Sequence, residues 1–211
     1  MNKYYKVLEN ILASGKLQSN KKGDIKFLIN QQVSMSPEDL QAIFDQHPIA
    51  KAKLADELFL YFQGETEIKR YNEMGIMWWD YCAPSLINSY PTYFKKLPAL
   101  IEQINSEKRS SKNYVLFIGE TGVETNQLPC LSLIQFQIIE GELHMTVYQR
   151  SADCNLGLPS DIYQMYLISK MIDVPLANIT FFIANAHIYS NNIENTVKLL
   201  SGDKVKFSLN V

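Results

Sequence analysis

Residues 129–162, PCLSLIQFQIIEGELHMTVYQRSADCNLGLPSDI, combine a predicted β-hairpin with a polar loop. Two alternating runs, LSLIQFQII and ELHMTVYQ, flank a tight turn at Glu140 and Gly141. Alternation with a period of two predicts strands that bury one face. Cys130 starts the first strand and Arg150 ends the second, so the hairpin places a guanidinium near a thiol. That arrangement favours the thiolate, the nucleophilic form of cysteine.

Each of these polar residues also has a purely structural interpretation. Cys130 fits a small buried hydrophobic residue. Arg150 could equally form a surface ion pair with Asp153. Asp161 could cap the helix that is predicted from Ser160 onward, because aspartate is a good N-cap residue. The residues alone leave these alternatives open.

Composition restricts the class of protein. The 211 residues are 46% hydrophobic and 20% charged, which predicts one globular domain over residues 1–211. A net charge of -2 argues against a nucleic-acid partner. The chain has no long apolar run and no signal-peptide pattern, so we expect a cytoplasmic protein without membrane contact. Cys82, Cys130 and Cys154 are odd in number and lack paired short spacing, so neither a disulfide framework nor a metal site is expected.

Periodicity elsewhere in the chain predicts a mixture of helices and strands. Helices are expected over residues 4–15, 51–64, 66–75, 93–104, 160–172 and 191–202. Strands are expected over residues 112–119, 179–189 and 204–211, in addition to the hairpin. The stretch 17–26 is polar and predicts a basic loop, and the stripe Leu54, Leu58, Phe59 and Phe62 predicts the buried face of one helix. The order of elements predicts an α+β fold with a large mixed β-sheet flanked by helices.

Several of these segments resemble the thymidylate synthase family. Pro-Cys opens a strand, YQRSADCNLGLPSDI is similar to that family's Tyr-Gln-Arg-Ser, Asp and Gly-Leu-Pro pattern, and NAHIYSN is similar to its Ala-His-Ile-Tyr strand. ELFLYFQGETEI and IMWWDYC resemble a family helix and its Ile-Trp-Asp stretch. The resemblance implies a thymidylate synthase-like fold, a pyrimidine nucleoside monophosphate as substrate and 5,10-methylenetetrahydrofolate as co-substrate.

The resemblance also implies residue roles, carried over position by position. Cys130 would add to C6 of the pyrimidine, Glu57 and Tyr90 would organise water and proton removal at C5, and Asp153 would face both ligands. The implied nucleotide-binding residues are Lys21, Lys112, Gln149, Arg150, Ser151, Asp161, His187 and Tyr189. The implied co-substrate contacts are Trp79, Asp153 and Gly157. The family also implies a homodimer with shared active sites.

Four departures from the family pattern refine this expectation. Asp161 stands where the family has an asparagine that reads uracil, and a carboxyl group that shares a proton suits cytosine better. Leu131 replaces the histidine after the nucleophile, and Cys82 stands where synthases have a second folate-facing tryptophan. Lys112 and Asn113 match two family arginines that bind phosphate across the subunit interface, and lysine lacks the arginine fork.

The chain also ends at Val211, without the long C-terminal segment of synthases, an opening that would admit water. Together these features predict a (d)CMP 5-hydroxymethylase. The alternatives are a divergent thymidylate synthase or dUMP hydroxymethylase, and a non-catalytic nucleotide-binding paralogue.

Overall fold

In a computed structural model, which describes residues 2–20, 22–125 and 128–209, helices pack on one face of a seven-stranded β-sheet. The α-helices are α1 (Lys3–Ser14), α2 (Pro37–Gln46), α3 (Lys51–Gln63), α4 (Ile68–Glu73), α5 (Tyr90–Phe94), α6 (Leu97–Glu107), α7 (Gly157–Ser169) and α8 (Ile193–Leu200). The strands are β1 (Lys16–Asn20), β2 (Gly23–Met35), β3 (Val115–Phe117), β4 (Leu131–Ile139), β5 (Glu142–Gln149), β6 (Ala152–Asp153) and β7 (Leu176–Tyr189). The predicted α+β class with a large mixed sheet is confirmed.

The sheet has the strand order β1-β2-β7-β5-β4-β3, and β6 pairs with β7 beyond the end of β5. Strand β7 runs parallel to β5 and β6, and the other neighbours are antiparallel. The hairpin β4–β5 forms as predicted, because Glu140 and Gly141 both adopt the positive φ values that a tight hairpin turn requires. The chain leaves β5 at Gln149 and begins β6 three residues later, at Ala152, where it pairs with β7.

The two faces of the sheet differ in composition. Phe181, Val147 and Ile134 are fully buried on the inner face, against the helices. The adjacent residues of the same strands, including Phe182 and Tyr148, point to the outer face and are exposed. This alternation is the pattern of a sheet covered on one side.

Three sequence predictions about secondary structure are wrong. Residues 17–20 and 23–26 belong to the paired strands β1 and β2 rather than to a loop, and β2 pairs along its length with β7. Residues 204–209 are irregular rather than a strand. The helix predicted over 93–104 is two helices, α5 and α6, and α6 begins next to Pro98, which suits the first turn of a helix.

Helix α3 follows its prediction except at one position. Gly64 ends it in the left-handed conformation, with φ 70°. Leu54 and Leu58 are buried, whereas Phe59 is 58% exposed and lies outside the stripe. Glu57, one turn after Leu54, points inward and is only 3% exposed. A buried carboxylate on this helix marks the position of the candidate site.

Candidate active site

A cavity of about 730 Å³ opens between the start of α3, the start of α7 and the strand ends of β5, β6 and β7. Its volume lies in the range of small-molecule sites in proteins. Most of the predicted site residues line it, from elements far apart in sequence. They are Glu57, Trp79, Tyr90, Cys130, Arg150, Ser151, Asp153, Gly157, Asp161, His187 and Tyr189.

The thiol of Cys130 is half-buried at the start of β4, and its surroundings hold the main chain in place. Its Sγ lies 3.4 Å from Ser151 Oγ. The hydroxyl of Tyr90 accepts hydrogen bonds from the main-chain N–H groups of Cys130, at 3.1 Å, and of Leu131, at 3.3 Å. The N–H of Arg150 donates to the Cys130 carbonyl at 2.9 Å, so the two strand ends stay together. The thiol is thus exposed to the cavity on a fixed backbone.

The guanidinium of Arg150 contacts the segment that precedes Cys130. Its Nε donates to the Pro129 carbonyl at 3.0 Å, and one terminal nitrogen donates to the Leu128 carbonyl at 2.7 Å. Asp153 is turned elsewhere: its carboxylate accepts from the Asn155 N–H at 2.9 Å. Burial raises the pKa of Asp153 to about 6 despite that hydrogen bond. The surface ion pair considered from the sequence is therefore not the arrangement of these two residues.

Side chains of the cavity wall donate hydrogen bonds to Glu57. Trp78 Nε1 lies 2.6 Å and Trp79 Nε1 lies 2.5 Å from Oε1, and Gln164 Nε2 lies 2.7 Å from Oε2. Burial raises the pKa of Glu57, and these donors oppose the rise by stabilising the carboxylate. These donors fix the position of the Glu57 carboxyl group, which can take up or release a proton in a region shielded from water.

Asp161 is the second buried carboxyl group of the cavity. Burial raises its pKa to about 7, the amide of Gln149 opposes this rise by donating to Oδ2, and the nearby Glu57 adds to it. Gln149 itself is fully buried behind Asp161. The alternative role of Asp161 as a helix cap is not seen, since α7 begins at Gly157 and Asp161 lies one turn inside it.

His187 and Tyr189 lie on the same face of β7, as strand alternation predicts, and both line the cavity. Their rings meet edge to face, with centroids 5.3 Å apart. Burial lowers the pKa of His187 to about 4, so its imidazole is neutral at physiological pH. The Oδ1 atom of Asn185 lies 3.1 Å from its Nδ1.

The two predicted lysines have different outcomes. Lys21 lies outside the described residues, but its neighbour Lys22 lines the cavity, with its ammonium 4.0 Å from the ring centroid of Tyr81. Lys112 is exposed and away from the cavity, and its carbonyl accepts from Gln135 Nε2 at 3.0 Å. The expected role of Lys112, which is phosphate binding across a subunit interface, stays a prediction.

Sequence reasoning missed several residues of the cavity wall. Gln164 follows Asp161 by one helical turn and so shares its face, a signal that spacing could have provided. His47 gave no local signal: it lies just after α2, stacks on Phe207 with ring centroids 5.3 Å apart, and its Nε2 lies 2.7 Å from the Asn155 carbonyl. Burial lowers the pKa of His47 to about 4.

The described part of the chain contains no group of three or more His, Cys, Asp or Glu side chains arranged to hold a metal ion. It also contains no helix with the length and apolar character needed to span a membrane.

Comparison with known proteins agrees with the geometry. The thymidylate synthase family profile matches residues 2–209. A thymidylate synthase from Staphylococcus haemolyticus (strain JCSC1435) is 32% identical over 135 residues, which cover 60% of this chain and 41% of that protein. The match thus spans about two fifths of the length of the curated relative. Since the family profile covers nearly the whole described chain, this chain belongs to the thymidylate synthase family.

Proposed function

We propose that this chain transfers a one-carbon unit from 5,10-methylenetetrahydrofolate, the co-substrate of the family, to C5 of a pyrimidine nucleoside monophosphate. The observation that carries this proposal is the Cys130 thiol, which lies 3.4 Å from Ser151 Oγ and lines the same cavity as Arg150 and Glu57. The Cys130 thiolate would bond to C6, and the electron pair of the C5–C6 double bond would make C5 a nucleophile. After C5 gains the one-carbon unit, loss of its proton would break the bond to tetrahydrofolate and leave an exocyclic methylene. Addition of water or hydride to that methylene would return an electron pair to C5, which would release Sγ from C6 and restore the ring.

The base recognised is proposed to be cytosine. A carboxyl group with a pKa near 7 carries a proton in a large fraction of molecules at neutral pH, and Asp161 is such a group. Its O–H would donate to cytosine N3 while its other oxygen accepts from the 4-amino group. Cytosine N3 is a basic nitrogen that can share this proton, whereas uracil N3 already carries a hydrogen. The buried position of Asp161 therefore favours (d)CMP.

The product is proposed to be the 5-hydroxymethyl nucleotide, formed when water adds to the exocyclic methylene after tetrahydrofolate leaves. Leu131 and Cys82, which replace a histidine and a tryptophan of synthases, are each 1% exposed. Neither is among the described residues that line the cavity. At these two positions the cavity wall therefore has neither an imidazole nor an indole, a difference that would leave the exocyclic methylene more open to water.

Thymidylate synthesis or dUMP hydroxymethylation is the second candidate. It is favoured by the matched relative from Staphylococcus haemolyticus, which is a thymidylate synthase. In the synthase reaction a hydride rather than water reaches the methylene, so the product is a methyl group. The mass of the product separates the two reactions, because hydroxymethyl and methyl nucleotides differ by one oxygen atom.

Tritium release from C5-labelled CMP, dCMP and dUMP, each with 5,10-methylenetetrahydrofolate, tests the proposed reaction. We expect release from a cytosine nucleotide, and a Cys130→Ser variant should lose it. Cys154→Ser is the matched control, because Cys154 is fully buried and its Sγ contacts the Ala152 carbonyl rather than the cavity. Release from dUMP alone would overturn the cytosine assignment. Nucleotide binding with no release above the Cys130→Ser level would instead support a non-catalytic binding protein.

We propose that the chain forms a homodimer through the outer face of the sheet. Strand register places Phe182, Tyr148, Leu133 and Phe117 side by side across four strands. Phe182 is 40%, Tyr148 43% and Phe117 68% exposed, an apolar row that burial against a second copy would cover. Lys112 is bonded to Gln135 on this same face, where a lysine could reach a neighbouring subunit.

Light scattering on the purified chain tests the dimer. We expect the wild type to have the mass of a dimer and Phe182→Asp to be a monomer. Phe59→Asp is the matched control, since Phe59 is 58% exposed on the helical side of the molecule. A monomeric wild type, or a Phe182→Asp variant that keeps the dimer mass, would contradict this interface.

A further inference from the structure

Asn185 contacts His187 on the cavity face of β7, and its contacts are made through oxygen atoms. Its side-chain Oδ1 lies 3.1 Å from His187 Nδ1. The main chain of Asn185 also opposes the fall in the pKa of His187 that burial causes. A carbonyl oxygen has no hydrogen to donate, so the ring nitrogen must supply it. Nδ1 of His187 therefore carries the hydrogen.

The second ring nitrogen follows from this assignment. A neutral imidazole has one N–H and one lone pair, and the partner of one nitrogen decides the state of the other. Because burial keeps His187 neutral, Nε2 has the lone pair and can only accept a hydrogen bond. Tyr189, edge to face with the ring at 88°, limits how it can turn.

We infer that Asn185 is a positioning residue, which holds His187 in the tautomer whose Nε2 accepts a hydrogen bond from a ligand. The ligand class that fits is a nucleotide with a free sugar hydroxyl group as donor. This class rests on the proposed function, whereas the tautomer rests on the contacts of Asn185 alone. Asn185 itself also lines the cavity, beside the two rings.

Nitrogen NMR of the histidine rings at about pH 8, where imidazole is neutral, tests the tautomer without any ligand. The chain has 3 histidines, so their signals can be assigned by single substitutions. We expect the Nδ1–H tautomer at His187 in the wild type and the Nε2–H tautomer in Asn185→Leu. An Nε2–H tautomer at His187 in the wild type would overturn the inference.

Asn178 offers a matched control on the same strand. Its Nδ2 lies 3.1 Å from Nδ1 of His144, so this amide presents its donor end and His144 should carry its hydrogen on Nε2. Asn178→Leu should change the signals of His144 and leave those of His187 unaltered. Opposite tautomers at His144 and His187 are therefore expected in a single spectrum of the wild type.

Calorimetry with CMP, dCMP, dUMP and their 2′,3′-dideoxy analogues tests the ligand class. Asn185→Leu should weaken the binding of a hydroxyl-bearing nucleotide about tenfold, which is the effect of one misdirected hydrogen bond. The same substitution should weaken the binding of the dideoxy analogue less than about twofold. Equal losses for both, or no loss for either, would overturn the role of Asn185 in sugar recognition. If the wild type binds none of these nucleotides, the proposed function and the ligand class both fail, while the tautomer measurement still decides what Asn185 does.

Discussion

Replacement of Asp161 by Asn tests the electrostatics of the cavity without any ligand. Burial raises the pKa of this carboxyl from its ordinary 3.8 to about 7, with the Gln149 amide opposing and Glu57 adding to the rise. The folded chain thus holds a proton that the unfolded chain releases. The stability that this proton contributes is fully present below about pH 4 and is lost as the pH rises through about 7.

The size of the effect follows from the two pKa values. Each pKa unit corresponds to ~1.4 kcal/mol, so the full contribution of Asp161 to the free energy of unfolding is ~4 kcal/mol. About 2.5 kcal/mol of this is lost between about pH 5 and about pH 8. Asparagine has no proton to lose. Relative to the wild type, Asp161→Asn should therefore be more stable at about pH 8 than at about pH 5, by ~2.5 kcal/mol.

Urea denaturation of both proteins across this pH range measures the difference. The comparison of two proteins is essential, because His47 and His187, whose pKa values burial lowers to about 4, give the opposite slope in each of them. Asp45→Asn is a suitable control, since Asp45 is exposed and accepts only from Gln41. A stability gap between wild type and Asp161→Asn that does not change with pH would refute the reasoning.

Three further substitutions test other parts of the site. Glu57→Gln replaces a charged acceptor of two indole N–H groups by a neutral one, sets an amide N–H against the Gln164 amide and has no proton to transfer. We expect a shift in tryptophan fluorescence and at least a ~100-fold loss of C5 tritium release. Tyr90→Phe leaves the N–H groups of Cys130 and Leu131 unpaired, and urea denaturation should show a loss of ~1–3 kcal/mol in the free energy of unfolding. His47 stays neutral in the folded chain but is protonated in the unfolded chain below pH 6.5, so it lowers the free energy of unfolding more and more as the pH falls towards about 4. His47→Phe removes this cost. Relative to the wild type, urea denaturation should find this variant ~2 kcal/mol more stable at about pH 5 than at about pH 8.

Elements with a strong local signal were predicted well from the sequence. The hairpin β4–β5 combines strict alternation with Glu140-Gly141, and both features act within a few residues. Strand β2 was missed because its own pattern is weak: its outer face carries Gln32 and Ser34, and its polar start at Gly23 and Asp24 reads as a loop. It forms because β1 and β7 pair with its two edges.

The C-terminal segment shows the opposite error. KVKFSL alternates like a strand, but it pairs with no strand among the described residues. Side chains satisfy its main chain instead: Asn192 bonds both main-chain groups of Ser208, at 2.9 Å and 3.0 Å, and Asn195 Nδ2 donates to the Lys206 carbonyl at 2.8 Å. Strand propensity without a partner does not make a strand.

For the site, the sequence by itself determined which residue types are present and which of them share a local element. Cys130 and Arg150 meet because one hairpin joins them, and His187 and Tyr189 share a face because a strand alternates. Only the tertiary structure decided the pKa values of His187 and Asp161. Burial and hydrogen-bond partners set a pKa, and for Asp161 both come from residues distant along the chain, which no local pattern reports.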